Sequence, residues 1–120
     1  MKVDSSIVFL YYRDLPRALA FYQDVLGLQL EVDQGWCKIL RMTPTASVGL
    51  VDETRGSLKT AEDKPVMLTL VVEDVDAWYT KVKEAGADVI RPPQLMEEIS
   101  VYGFFLRDPE GYTLEIQKFV

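Results

Sequence analysis

The sequence of 120 residues contains no histidine. Histidine is the most common general base of enzymes, the usual partner of a serine or cysteine nucleophile and the most common metal ligand. Acid–base chemistry in this chain would therefore depend on carboxylates, lysine or tyrosine. A zinc site of the usual kind would have no nitrogen ligand and at most one sulfur ligand, because Cys37 is the single cysteine.

Cysteine and basic residues are also scarce. One cysteine excludes a disulfide within the chain, which is typical of a reducing compartment. Cys37 lies in a strand-like segment, 36–40, which favours a buried structural thiol over a nucleophile activated by a lysine, an arginine or a helix terminus. The net charge is −6 and no basic cluster is present, so we expect no nucleic-acid partner. Such a surface attracts cationic ligands instead.

Long apolar runs are absent as well. No segment approaches the roughly 20 residues that cross a bilayer. Residues 1–4 lack the basic region and the cleavage site of a signal peptide. We therefore expect a cytoplasmic protein with no membrane partner, folded as a single domain over 1–120.

The main feature that is present is an internal repeat. Residues 6–12 and 66–72 are apolar runs typical of strands that are covered on both faces. Each run leads to an aspartate followed by a helical pattern that ends at a glycine: Asp14 and Gly27 in the first half, Asp74 and Gly86 in the second.

Three further strands, 28–32, 36–42 and 46–51, follow the first helix, and the motif 40–44 recurs in 106–109. The pattern predicts an α+β fold of two β-α-β-β-β modules, at 6–51 and 66–118. The polar segment 52–65 between them is either a linker or a flap over a site.

The end of the chain places a carboxylate inside a sheet. A turn at 108–111 joins two predicted strands, since proline and glycine favour its backbone conformation. After the turn, the apolar residues 112, 114 and 116 alternate with Thr113, Glu115 and Gln117. The face that carries Glu115 is a pocket, a partner surface or open to solvent.

Two segments together, DLPRALAFYQDVLG at 14–27 and DPEGYTLE at 108–115, resemble the vicinal oxygen chelate superfamily. It includes glyoxalase I, extradiol dioxygenases, fosfomycin resistance enzymes and bleomycin resistance proteins. The resemblance covers essentially the whole chain and does not select a member. It implies a glyoxalase/bleomycin resistance/dioxygenase-like fold, in which the sheets of two βαβββ modules curl around a cavity, commonly in a homodimer.

The resemblance also implies where a metal ion would bind. Metal-using members take four ligands from strand positions that face the cavity, and here these positions hold Ile7, Gly49, Met67 and Glu115. Only Glu115 is able to bind a hard divalent cation. We therefore expect no metal and no cofactor.

Strand alternation from these positions predicts the side chains that face the cavity. They are Ile7, Phe9, Tyr11, Met67, Thr69, Thr113, Glu115 and Gln117. Trp36, Tyr102 and Phe104 are further candidates, because their strands lie next to the strands that carry these residues. These residues either fill a closed core, as in small barrels, or line a ligand pocket. The pocket is favoured because each unpaired polar group would cost a core roughly 1–3 kcal/mol.

The predicted function is a binding protein of the bleomycin-resistance type, with a role in antibiotic resistance. It would sequester an aromatic or cationic small molecule, with aromatic side chains for stacking and Glu115 for a charged contact. The alternative is an enzyme of the same superfamily. It would be a lactoylglutathione lyase-like or dioxygenase-like protein with an unusual metal site, or a metal-free enzyme with Glu115 as its base. A dimeric scaffold without a ligand is a third possibility. The modules pair within one chain or swap between two.

Overall fold

The two aspartates predicted to begin helices do cap them. In a computed structural model that describes residues 1–120, the Asp14 carboxylate accepts a hydrogen bond of 3.1 Å from the backbone N–H of Arg17. Asp74 accepts the equivalent bond, 3.0 Å long, from Ala77. Each bond satisfies an N–H group at the open end of a helix. The two helices belong to two compact units, Met1–Glu62 (unit 1) and Asp63–Val120 (unit 2).

Unit 1 has the predicted order of a strand, a helix and three strands. Its elements are β1 (Ser6–Tyr12), α1 (Leu15–Ala20), β2 (Gln29–Asp33), β3 (Cys37–Thr43) and β4 (Ala46–Asp52). The open sheet has the order β1-β4-β3-β2, with β1 parallel to β4 and the other pairs antiparallel.

The first helix is shorter than the sequence pattern predicts. A π-helical turn, Phe21–Val25, follows α1, and the Leu26 N–H donates to the Phe21 carbonyl at 3.2 Å. Gly27 then ends the helical segment with a φ of 73°. A glycine adopts this left-handed conformation without a steric cost, as the predicted end of the helix requires.

Unit 2 repeats this architecture with one interruption. Its elements are β5 (Met67–Val71), α2 (Val75–Glu84), β6 (Asp88–Val89), β7 (Gln94–Met96), β8 (Val101–Arg107) and β9 (Thr113–Phe119). The sheet order is β5-β9-β8-β6, β7 also pairs with β8, and β5 is parallel to β9 as β1 is to β4. Pro92 and Pro93 separate β6 from β7, because proline has no N–H for a strand ladder. The predicted repeat and the α+β fold are confirmed.

The predicted turn between β8 and β9 is present and is held by a buried aspartate. The Gly111 N–H donates to the Asp108 carbonyl at 3.1 Å, and Gly111 has a φ of 92°. The Asp108 carboxylate accepts from the N–H groups of Glu110 at 2.9 Å and Tyr112 at 3.0 Å. These bonds fix where β9 begins and therefore which of its side chains lie on each face.

The fully buried apolar side chains of each unit lie between its helix and one face of its sheet. In unit 1 they include Tyr12, Tyr22, Leu26, Leu40 and Leu50, and in unit 2 Val75, Val82, Phe104, Leu114 and Ile116. The expectation that the first strand of each module is covered on both faces is wrong. Ile7 and Phe9 are 42% exposed and Met67 is 47% exposed, because each unit has its helix on one side only.

The polar connection between the modules contains no helix and no strand from residue 53 to 66. It begins with a turn in which the N–H groups of Arg55 and Gly56 both donate to the Asp52 carbonyl at 3.0 Å. The longest helix of the chain, α2, has 10 residues, and none of the helices reaches the length and hydropathy of a membrane span.

Candidate functional site

Glu115 lies in the middle of β9, between β5 and β8. It is in register with Thr69 on one side and with Phe105 on the other. Its neighbours Leu114 and Ile116 are fully buried, and Phe104, in register with Ile116, packs against Tyr79 of α2 with 5.3 Å between the ring centroids. Glu115 therefore points to the side of the sheet opposite α2.

We define the Glu115 face by the side chains that share this side of the unit 2 sheet. It includes Met67, Thr69, Phe105, Thr113, Glu115 and Gln117. The predicted strand parity is therefore confirmed for Met67, Thr69, Thr113, Glu115 and Gln117, while their contact with a ligand stays a prediction.

Two buried hydrogen-bond acceptors lie two residues apart on this face. Glu115 is only 7% exposed, forms no ion pair and accepts one hydrogen bond, of 3.0 Å, from the Thr69 hydroxyl to its Oε1 atom. Gln117 is 6% exposed, and its Oε1 atom has no hydrogen-bond partner. A buried polar atom without a partner is rare in folded proteins and is costly. The face is therefore ready to accept hydrogen bonds from a bound molecule.

Phe105 is part of the Glu115 face and Arg91 lies beside it, and neither residue is among those predicted from the sequence. The Arg91 guanidinium lies 4.9 Å from the centroid of the Phe105 ring. Its Nη1 atom donates to the carbonyls of Pro92 at 3.2 Å and Gly103 at 3.3 Å. Its Nη2 atom lies 3.7 Å from the Met96 sulfur. Arg91 is thus held by its own unit at the edge of the face.

A signal for Phe105 was present in the sequence. The turn at 108–111 fixes the pairing of Arg107 with Thr113, so a count of two residues outward on each strand places Phe105 opposite Glu115. Arg91 had no comparable signal, because it precedes two prolines in a connection whose path periodicity does not predict.

Three predicted site residues face elsewhere. Tyr102 and Phe104 lie on the α2 side of the sheet, where the Tyr102 hydroxyl donates a hydrogen bond of 2.6 Å to Asp76 Oδ1. Their predicted direction is wrong, because the side chains of one strand alternate between both faces of the sheet and only the register decides which face each one takes. Trp36 precedes β3 and lines a cavity beside α1, on the helix side of unit 1. Its predicted direction is wrong for the same reason.

The predicted residues of β1 share one face of the unit 1 sheet. Ile7, Phe9 and Tyr11 are in register with Ser47, Gly49 and Val51 of β4. The Phe9 ring lies directly against Gly49, where an added Cβ would collide with it. Tyr11 packs on a buried cluster of Cys37, Ile39 and Val51. Burial raises the pKa of the Cys37 thiol, which is the behaviour of a structural cysteine.

The residues at the positions of the superfamily's metal ligands do not fit a metal ion. Ile7, Gly49 and Met67 offer no hard donor atom, and the ring of Phe9 fills the space next to Gly49. No group of three or more His, Cys, Asp or Glu side chains in the chain is arranged to hold a metal. Glu115 alone does not make a metal site.

Comparisons with known proteins give the family. Residues 6–116 match the Glyoxalase/Bleomycin resistance protein/Dioxygenase superfamily. The chain is 29% identical over 119 residues to the uncharacterized protein YraH of Bacillus subtilis, covering 91% of this chain and 93% of the relative. It is 29% identical over 114 residues to a probable lactoylglutathione lyase of Vibrio parahaemolyticus, covering 86% of this chain and 81% of the relative.

A solved structure has the same fold. The crystal structure of lactoylglutathione lyase from Agrobacterium tumefaciens matches with a TM-score of 0.75 and 24% identity, over 93% of this chain and 90% of that chain. The repeated β-α-β-β-β architecture, the capped helices and the family match over 6–116 lead to one conclusion. The chain belongs to the Glyoxalase/Bleomycin resistance protein/Dioxygenase superfamily.

Proposed function

We propose that this protein binds a small molecule on the Glu115 face, without a metal ion and without chemical conversion. The ligand has an aromatic part and a cationic or hydrogen-bond-donating group. The observation that carries the proposal is the pair of buried acceptors, Glu115 with a single neutral donor and Gln117 Oε1 with none. Sequestering such a ligand would protect a cell against a toxic compound, in line with the bleomycin resistance branch of the superfamily.

The unsatisfied acceptors of the free protein favour a ligand that donates hydrogen bonds. A buried acceptor left without a partner costs about 1–3 kcal/mol, and more when it is charged. A ligand ammonium group between Glu115 and Gln117 would satisfy both acceptors with charge-assisted hydrogen bonds. A ligand carboxylate there would face the Glu115 charge and be repelled.

The apolar part of the ligand has a matching surface. Phe105 is half-buried beside Glu115, and Met67 is 47% exposed on the same face. Because the Arg91 guanidinium lies 4.9 Å from the centroid of the Phe105 ring, a second positive charge on the ligand is disfavoured at that edge. We therefore expect a ligand with one positive charge at one end and a ring at the other.

Two probes with the same phenylethyl group and opposite charge test this proposal. Phenethylamine and 3-phenylpropionate are titrated separately into chelator-treated, 15N-labelled protein, followed by backbone amide shifts. Phenethylamine is expected to shift Thr69, Phe105, Glu115 and Gln117 in a saturable way, and 3-phenylpropionate to leave these amides unchanged. Equal shifts from both probes, or none from phenethylamine, would overturn the proposed ligand class.

The second candidate function is a lyase-like enzyme of the superfamily. It is favoured by the relative of Vibrio parahaemolyticus, which is named a probable lactoylglutathione lyase. Glu115 would then act as the general base, since it is the one carboxylate buried on this face. Elemental analysis together with a lyase assay separates the two functions. Lyase turnover that persists after treatment with a chelator and is lost in Glu115→Gln, or turnover that is lost with about one equivalent of a bound transition metal, would favour the enzyme and contradict the binding protein.

We also propose that the protein is a cytoplasmic homodimer. Ile7, Phe9, Met67 and Val71 leave 42% to 60% of their surface exposed on the faces opposite the helices. A second copy of the chain would cover such apolar surface, as is common in proteins that the sequence resembles. The single buried, reduced cysteine fits a reducing compartment.

A further inference from the structure

A cavity lies on the helix side of unit 1, apart from the Glu115 face. It has a volume of about 440 Å³, within the range of small-molecule sites. Leu15 and Leu19 of α1 and Trp36 form its apolar wall, and Lys38, Asp52 and Arg55 contribute its charged groups. Trp36 is 39% exposed, so part of its ring surface is available to a ligand. Nothing in the proposed function of the Glu115 face uses these residues.

The one carboxylate of this cavity, Asp52, is partly used within the chain. The Asp52 carboxylate accepts from the Thr54 backbone N–H at 2.9 Å and from the Thr54 hydroxyl at 2.7 Å. These bonds hold the pKa of Asp52 below its usual value, together with the nearby charges of Arg55 and Lys59. Both bonds end at Oδ1, so Asp52 is engaged by its own loop, and it is the one negative charge of the lining beside Lys38 and Arg55.

The donors of the cavity are only partly used. Lys38 Nζ lies 2.7 Å from Asp33 Oδ1 and has donor positions left over. The Arg55 guanidinium forms no hydrogen bond and no ion pair, although its backbone N–H is bonded to the Asp52 carbonyl. An arginine presents a planar, forked set of donors that matches a carboxylate with two parallel hydrogen bonds.

We propose that this cavity binds a small aromatic carboxylate. Its ring packs between Trp36 and the leucines of α1, and its carboxylate binds the Arg55 guanidinium with Lys38 nearby. The charge preference is the opposite of that of the Glu115 face, because the cavity has two cationic side chains, Lys38 and Arg55, beside one carboxylate, Asp52. The two sites therefore take ligands of different charge, and each is tested without reference to the other.

The probe for this cavity is 3-phenylpropionate, with phenethylamine as the counterpart of opposite charge. In a titration of 15N-labelled protein, 3-phenylpropionate is expected to shift the Trp36 indole N–H and the Gly35 and Arg55 amides in a saturable way. Arg55→Gln is expected to weaken its affinity about tenfold or more. Arg17→Gln is the matched control, since Arg17 is an exposed arginine of unit 1 that does not line the cavity. The affinity of Arg17→Gln for 3-phenylpropionate is expected to equal that of the unmodified protein.

Several results would overturn the proposal. They are the absence of saturable shifts at Trp36, equal binding of phenethylamine at the same amides, and equal losses from Arg55→Gln and Arg17→Gln. Trp36→Leu gives a second measure, because it removes the stacking surface without changing the charge and should also weaken binding. Glu115→Gln is expected to leave binding at this cavity unchanged, so failure here is distinct from failure at the Glu115 face.

Discussion

Thr69 and Glu115 lie opposite each other on the parallel strands β5 and β9, and the Thr69 hydroxyl donates a hydrogen bond of 3.0 Å to Glu115 Oε1. This bond is the only one that the Glu115 side chain makes within the chain, although the side chain is 7% exposed. A buried carboxylate usually has an ion pair or several donors. The geometry thus leaves acceptor capacity for a ligand on the Glu115 face.

Thr69→Val removes this one donor while it keeps the shape of the side chain. We expect the free energy of unfolding to fall by about 1–3 kcal/mol, because Glu115 then has no hydrogen-bond partner. Urea denaturation measures the change. Thr113→Val is the matched control, because Thr113 is on the same face and its hydroxyl forms no hydrogen bond. Equal losses in the two variants would contradict the importance of the Thr69–Glu115 bond.

Gly103 is expected to be the least replaceable glycine of the strands. A Cβ at this position would lie 2.6 Å from both Gln117 Cβ and the Ile116 carbonyl oxygen, and backbone cannot move aside easily. We expect Gly103→Ala to lower the free energy of unfolding by about 1–3 kcal/mol. Gly49→Ala should cost less, because its Cβ meets the ring of Phe9, which is 42% exposed and can rotate away. A larger loss of stability in Gly49→Ala than in Gly103→Ala, measured by thermal or urea unfolding, would contradict this prediction.

The site residues illustrate how far the sequence leads. The direction of Glu115 followed from a turn and an alternation only a few residues long, and both are local properties. The directions of Tyr102 and Phe104 depend on the register across that turn, and adjacency of strands does not supply it. The position of Arg91 over Phe105 depends on the path of a connection through two prolines, which no periodic pattern describes.

The exposure of β1 and β5 also differs from the prediction, for another reason. An apolar run predicts a strand. It does not show whether a helix of the same unit, a second copy of the chain or a ligand covers the second face of that strand. Ile7 and Met67 have the composition of a covered strand, yet the helix of each unit lies on one side only. The apolar runs therefore predict both strands correctly, but the expectation that both faces of each strand are covered is wrong.

Tyr102 gives a prediction that depends on pH. Its hydrogen bond to the Asp76 carboxylate, assisted by the negative charge of that group, raises the pKa of Tyr102 above the usual value. A group with a raised pKa in the folded state contributes stability below its unfolded pKa. This contribution is lost as the pH rises through the folded pKa. The phenolate absorbance of Tyr102 is obtained as the difference between the unmodified protein and Tyr102→Phe. It should show that Tyr102 ionises at a higher pH than an ordinary tyrosine. In Asp76→Asn this ionisation should shift to lower pH. An Asp76→Asn protein with an unshifted Tyr102 titration would contradict this cause.

The proposed homodimer predicts a mass in solution of twice 13.7 kDa. The physical reason is the exposed apolar surface of Ile7, Phe9, Met67 and Val71. Sedimentation equilibrium at micromolar concentration measures the mass. Phe9→Glu is expected to shift the equilibrium toward the monomer, whereas Leu58→Glu, an exposed apolar residue outside the strands, should not. A monomer mass for the unmodified chain would rule the proposal out.

The central claim is that Glu115 binds a cationic aromatic ligand without a metal, and one calorimetric titration tests it most directly. Phenethylamine is titrated into chelator-treated protein and into Glu115→Gln, which keeps the size of the side chain and removes its charge. We expect saturable binding to the unmodified protein, and at least about a tenfold loss of affinity in Glu115→Gln because a charge-assisted hydrogen bond is lost. The folded state of the variant should show at most a modest change in stability. Unchanged affinity in Glu115→Gln, or binding that appears only after a divalent metal is added, would contradict the account.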